Sequence, residues 1–379
     1  MLRYHWMMEV SAMAFRRRNP FTPTFGHEPF ALAGRGELID DVIEGLAEGP
    51  GDPNRATIFL GPRGSGKTVL LSAIAEEASQ MGWVFANAVA GTGMLKDLMY
   101  SLRTNASHLL EGPGGSTIVD LQVGPVAIGR EVVREDVPWR FRFQQAVEEL
   151  NDQGVGVLFT VDEVDPGCAE LIEFISFYQC FVTEKHDVAM LLAGLPGKVS
   201  DLLIEDRVSF VRRSFQRRLT SIPDDDVREA LKATIEDNGK AASDDVLDAL
   251  VAAARGFPYA MQLLGYGAWR YTGEEKSISL EAVERAIGRA AQEMESSVVR
   301  PTLRECTTRE LEYLQAMAED EGPSSTGDIA RRMGIGMTNA SNLRRRLIDR
   351  GVIKGERMGL VSFDMPVLEA YLREHPGEW

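Results

Sequence analysis

Apolar positions follow two rhythms along this chain, and the change of rhythm divides it. Between residues 56 and 222, short apolar runs alternate with stretches whose apolar residues recur every three to four positions. Residues 56–60, 84–89, 155–161 and 188–192 read as strands, and the third run is almost wholly apolar, as a strand buried on both faces must be. Val69, Leu70, Leu71, Ile74, Ala75, Ala78 and Met81 line one face of a helix after the first strand. Residues 95–110, 138–151 and 171–184 read as further amphipathic helices, the middle one with proline in its first turn. Residues 217–222 read as a last, edge-like strand. Strands alternating with helices imply a parallel sheet covered on both faces.

From Pro223 to Ser297 the rhythm is helical only, broken at Gly256-Phe257-Pro258 and at Thr272-Gly273. That shift predicts an all-α unit. A third unit begins at Pro301. It reads as a helix over 308–317, a short capped helix over 325–334, a third helix over 338–349, and a two-stranded wing over 352–363 around Gly355 and Gly359. The expected division is a basic N-terminal tail (1–19), an α/β core (20–222), a helical lid (223–299) and a winged helix-turn-helix (300–379). Met7, Met8 and Met13 leave the true start open. Within the core, Pro20 and Pro23 make an extended lead-in, a helix runs to about residue 46, and Pro50-Gly51-Asp52-Pro53 stops it. Residues 112–137 alternate β-branched residues around Gly124-Pro125, which predicts an inserted hairpin.

The chemistry starts at Gly61-Pro62-Arg63-Gly64-Ser65-Gly66-Lys67-Thr68, which follows the first strand and opens a helix. That context makes G-x-x-x-x-G-K-[ST] a P-loop. Its glycines let successive N–H groups point at phosphate oxygens, and the helix start adds unpaired N–H groups and a positive dipole end. Gly61 through Val69 are therefore the expected nucleotide contacts, with Lys67 on the β and γ phosphates and Thr68 on Mg²⁺. Asp162 and Glu163 end the most apolar strand. Ligands of such sheets bind beyond the carboxyl ends of the strands, so Asp162 is the expected second Mg²⁺ ligand and Glu163 the group that polarises the attacking water.

The P-loop, the Asp162-Glu163 pair and Gly34-Arg35-Gly36-Glu37-Leu38 resemble the AAA-type ATPases, in particular the origin-recognition and archaeal-ATPase branch near the STAND signalling NTPases. The resemblance covers the chain from about residue 20 to its end. It implies ATP and Mg²⁺ as ligands, an adenine frame around Phe30, Gly34 and Arg35, and a lid that closes through Gly256 and Pro258. It also implies an arginine finger at Arg217 or Arg218, acting on a neighbouring subunit. Two family features are missing: the fourth strand ends in Ala193-Gly194-Leu195 with no polar sensor, and Tyr259 stands where a second-sensor arginine is expected. Slow hydrolysis follows, with ATP acting as a switch.

The chain is 44% hydrophobic with net charge −16 and a pI near 4.9, so it is not a general polyanion binder. Against that background, residues 331–357 carry seven Arg and one Lys with two acids, a local +6. Such contrast marks a phosphate-contacting face. Asn339, Asn342, Arg344, Arg345 and Arg346 are the candidate double-stranded DNA contacts. Winged helices also dock proteins, and a protein partner or self-association stays open at this point. Three cysteines are too few for a disulfide framework or a zinc site, which points to a reducing cytoplasm. No apolar run reaches the roughly 18 residues of a membrane helix.

Overall fold

The computed structural model describes residues 18–24, 32–110, 116–118, 131–133 and 138–378. Helix α1 (Gly36–Glu48) leads into β1 (Ala56–Leu60), α2 (Lys67–Gln80), β2 (Val84–Val89) and α3 (Met94–Asn105). Two short strands, β3 (Ser116–Ile118) and β4 (Glu131–Val133), pair antiparallel beyond α3. Then follow α4 (Trp139–Asp152), β5 (Val157–Asp162), α5 (Ala169–Thr183), β6 (Val188–Gly194), α6 (Pro196–Ile204) and β7 (Phe215–Arg218). The sheet order is β2-β5-β6-β1-β7, parallel throughout.

Strand alternation sends neighbouring residues to opposite faces, and both faces are buried. Ile58, Phe159 and Leu192 join Phe143, Phe174 and Phe181 of α4 and α5. Phe59, Leu158 and Leu191 join Val42 of α1 and Leu70 and Ile74 of α2. The sandwich is thus helix, sheet, helix.

The edge strand differs from the sequence expectation. It ends at Arg218 because Leu219–Ile222 turns toward the next unit, where the Ile222 N–H bonds the Gly256 carbonyl at 2.8 Å. That unit is α7 (Asp224–Asp237), α8 (Asp244–Ala254), α9 (Pro258–Thr272) and α10 (Leu280–Met294). Its core includes Phe21 from the N-terminal lead-in, so the chain start straps the lid.

Pro301 does not interrupt the chain as expected. A π-helical turn (Glu295–Val299) joins α10 to α11 (Arg300–Arg304), and Pro301 sits in the first turn of α11, where its missing N–H is tolerated. Then come α12 (Thr308–Met317), β8 (Ser324–Ser325), α13 (Thr326–Arg332), α14 (Met337–Asp349), β9 (Ile353–Gly355), β10 (Leu360–Phe363) and α15 (Leu368–Glu374). The strands form an antiparallel sheet in the order β8-β10-β9. Three helices and this wing make a winged helix. Among the described residues no helix is long and apolar enough to cross a membrane.

Candidate functional site

The carboxyl ends of β1 and β5 bring the two sequence motifs together across β6. The Gly61 N–H continues the ladder to the Gly194 carbonyl at 3.3 Å, and the loop then turns to start α2 at Lys67. The Lys67 ammonium donates to the Gly61 and Pro62 carbonyls, each at 2.9 Å. Burial pushes its pKa down to about 8, nearby Arg63 acting in the same direction and the Asp162 and Glu163 carboxylates opposing it. The cation is therefore held by loop carbonyls at the place where a phosphate would offer better partners.

The Thr68 hydroxyl donates to one carboxylate oxygen of buried Asp162. The other oxygen accepts the Glu163 N–H at 2.8 Å. Glu163 is exposed, with a left-handed φ of 51° that a non-glycine residue adopts only under local constraint. A hydroxyl and a carboxylate, with phosphate oxygens and water, match the sparse oxygen set Mg²⁺ takes in such sites. Among the described residues no cluster of three acidic, His or Cys side chains could hold a metal by itself. Ser65 is buried and its hydroxyl has no partner among the described residues.

The helical unit rests on this loop. Gly256 has φ +69°, and a Cβ there would lie 2.3 Å from the Ile222 carbonyl oxygen, so only glycine fits. It is followed by Phe257 and by Pro258, which starts α9. A Cβ on Gly64 would meet the Phe257 ring at 2.9 Å, and the Tyr259 N–H bonds the Gly64 carbonyl at 3.3 Å. Phe257 and Tyr259 thus reach the P-loop at Gly64, Pro258 lies 3.8 Å from the Cβ position of Gly66, and Gly256 packs on Ile222 instead.

Other candidates sit differently. The buried Arg35 guanidinium bonds the Thr220 carbonyl at 2.8 Å, and burial lowers its pKa. Gly34 packs against Ile222. This early motif therefore braces the turn between core and lid, and Phe30 lies outside the described residues. The end of β6 carries no polar side chain. Arg217 pairs with Asp41 of α1 at 2.8 Å and also reaches Asn54. Arg218 donates to the Ile348 carbonyl at 3.3 Å. Both finger candidates are thus bonded within their own chain, and neither bonds a P-loop atom or Asp162.

On α14, Asn339, Asn342, Arg345 and Arg346 are exposed. Arg344 is half-buried and turned to the wing, 3.1 Å from where a Gly355 Cβ would stand. The placement of the end of α14 was not expected from its residues. Gly351 abuts the P-loop, with Pro62 Cα 3.2 Å from its Cβ position, and Arg63 pairs with Glu305 at 2.7 Å. The turn glycine after α14 and the arginine inside the P-loop motif are both visible in the sequence, but nothing in either specifies the other as a neighbour.

A family model described as a domain of unknown function (DUF8462) matches residues 296–372, from the π turn into α15. No curated protein matches the sequence. Among solved structures, a Walker-type ATPase of Pyrococcus abyssi superposes with a TM-score of 0.67 at 16% identity, over 90% of this chain and 96% of that one. The ORC2 protein of Aeropyrum pernix, solved as ADPNP–ADP complexes, gives 0.62 at 14% identity, over 93% and 95%. Cdc6p of Pyrobaculum aerophilum gives 0.51 at 16% identity, over 93% and 96%. The fold is that of these ATPases. Within this AAA-type, ORC/Cdc6-like fold, the P-loop bonds Asp162 through Thr68 and the helical unit through the Gly64 carbonyl.

Proposed function

We propose that the chain binds Mg·ATP between P-loop and lid, hydrolyses it slowly, and uses the nucleotide state to set the winged helix on duplex DNA. The observation that carries this is the contact of Thr68 with Asp162 beside a lysine already bonded to loop carbonyls. Main-chain amides of the loop and the Lys67 ammonium receive the phosphates. Thr68 and Asp162 would hold Mg²⁺, which when bound would supply charge neutralisation on the phosphate oxygens. Glu163 orients and deprotonates the attacking water, which makes in-line attack on the terminal phosphorus, and ADP leaves. The bare β6 tip leaves that step with one charge-stabilising contact fewer, which is why turnover is slow.

Glu163→Gln tests the chemical assignment: nucleotide binding is retained and phosphate release falls by about 10²–10⁴. Normal turnover in that variant would show that another group activates the water.

The DNA half of the proposal rests on the exposed face of α14, where Asn339, Asn342 and Arg345 stand clear of the core. A gel-shift series across salt tests it. Counterion release predicts a log–log slope of about −0.9 per phosphate contacted, and absence of any duplex binding at low salt would leave a protein as the winged helix's partner.

A further inference from the structure

The apolar residues of α9 belong to two different cores. Met261, Leu264 and Ala268 lie in the core of the helical unit. Phe257 and Ala260, at the helix start, lie instead in the core of the winged helix, with Val298, Leu303, Leu311 and Leu314. The same Phe257 ring meets the P-loop: its Cε1 and Cζ atoms stand 2.9 and 3.1 Å from where a Cβ on Gly64 would be. One buried ring is thus shared by the loop and the winged helix.

The residues beside it reach the same neighbours. Arg255 has a left-handed φ of 49°, which a non-glycine residue keeps only under constraint, and donates to the Pro366 carbonyl of the winged helix at 3.1 Å. The Gly256 carbonyl accepts the Ile222 N–H where the core ends. The Tyr259 N–H bonds the Gly64 carbonyl at 3.3 Å, and the Tyr259 hydroxyl accepts from the Ser297 hydroxyl at 3.3 Å. Ser297 lies in the π turn that leads into the winged helix, and such turns recur at functional sites.

We infer that Phe257 couples the P-loop to the winged helix: a nucleotide that fixes the loop holds the ring, and the ring holds the winged helix's core closed. The inference rests on the ATP proposal and names the route by which the nucleotide reaches the winged helix. The cause is close packing. Gly64, with φ +79° and no Cβ, lets the ring approach the backbone. A ring wedged between that backbone and an apolar core cannot let Gly64 move without opening a gap on one side. Bound nucleotide therefore slows local opening of the winged helix. Arg63 and Glu305 also join the loop to the winged helix, but both side chains are nearly half exposed, and such ion pairs contribute little.

The test is amide hydrogen exchange of the full chain, with and without a saturating Mg²⁺ complex of a β,γ-imido ATP analogue, binding being checked by calorimetry. In the wild-type chain, core amides of α12 and α14 are expected to exchange at least about tenfold more slowly with analogue at about a hundred times its Kd. Phe257→Leu deletes the two ring atoms nearest Gly64 and keeps an apolar side chain in the core. At saturation it is expected to slow those amides by less than about twofold. Ile329→Val, a truncation of the same core on α13, is expected to speed exchange in both states and keep the wild-type ratio. Bound analogue without slowing in the wild type overturns the inference and leaves the ATP proposal standing. Full slowing in Phe257→Leu does the same, and would place the coupling at Arg63 and Glu305. Failure of the wild-type chain to bind the analogue overturns both.

Discussion

The P-loop and helix α14 are both proposed to meet polyanions, yet they are built in opposite ways. The loop offers main-chain amides and one partly buried cation whose pKa is pulled down to about 8. Its shape is fixed by glycine geometry, by the strand before it and by the lid above it. Helix α14 offers exposed side chains on a surface. The same residue type there takes three courses: Arg344 turns to the wing, Arg345 stays in solvent, and Arg346 lines the cleft between the winged helix and the P-loop. A site made of backbone commits early to its ligand. A site made of side chains can be divided between neighbours.

The largest predicted effect separates these two regions. Lys67→Ala removes the partly buried cation, and ATP affinity is expected to fall by about 10²–10³, or roughly 3–4 kcal/mol, with DNA affinity measured without nucleotide unchanged. Equal loss of both activities would mean the regions are not separable. Next, Gly256→Ala forces a Cβ onto the Ile222 carbonyl at a left-handed φ. Strain and displacement are expected to cost about 2–4 kcal/mol, read as a lowered Tm with weaker ATP binding. A wild-type melting curve would show that the lid does not seat on the core through this turn.

The pH dependence is smaller and has a definite sign. Lys67 titrates near 8 in the folded protein and at its ordinary 10.5 when unfolded. Between those values the unfolded chain holds more protons, so the nucleotide-free protein gains stability as pH rises through that window. ATP binding needs the ammonium, so its affinity falls above pH 8, at most about tenfold per pH unit, and binding there takes up a proton. Lys67→Arg flattens the profile, because a guanidinium stays charged. Titration in buffers of different ionisation heat reads the proton uptake, and a flat wild-type profile would contradict it. The smallest effect is on α14: Arg345→Ala is expected to reduce the salt slope for DNA by about 0.9, and an unchanged slope would remove it from the phosphate contacts.

The contrast also explains what was legible in the sequence. The strand before Gly61, the loop and Asp162 could be read because buried strands and phosphate-cradling turns restrict residue type at fixed spacing. The wing was legible through its alternation around Gly355 and Gly359. Helix α6 and the 3₁₀ segment Asp206–Arg213 were not expected, because short elements between a buried strand and an edge strand carry little periodicity. Nor was the continuous path through Pro301, which depends on a π turn that no residue pattern marks. The seating of Gly351 on Pro62 joins positions nearly three hundred residues apart, and no local rule encodes such a contact.

The central claim is that a triphosphate sits on the loop amides beside Lys67, with Thr68 and Asp162 sharing its metal. Titration calorimetry of the wild-type chain with ATP, with and without Mg²⁺, tests it most directly. The account predicts saturable, magnesium-dependent heat whose midpoint Lys67→Ala shifts to about 10²–10³ higher ATP concentration. Absence of that heat at any nucleotide concentration in the millimolar range, with the chain folded, would contradict it.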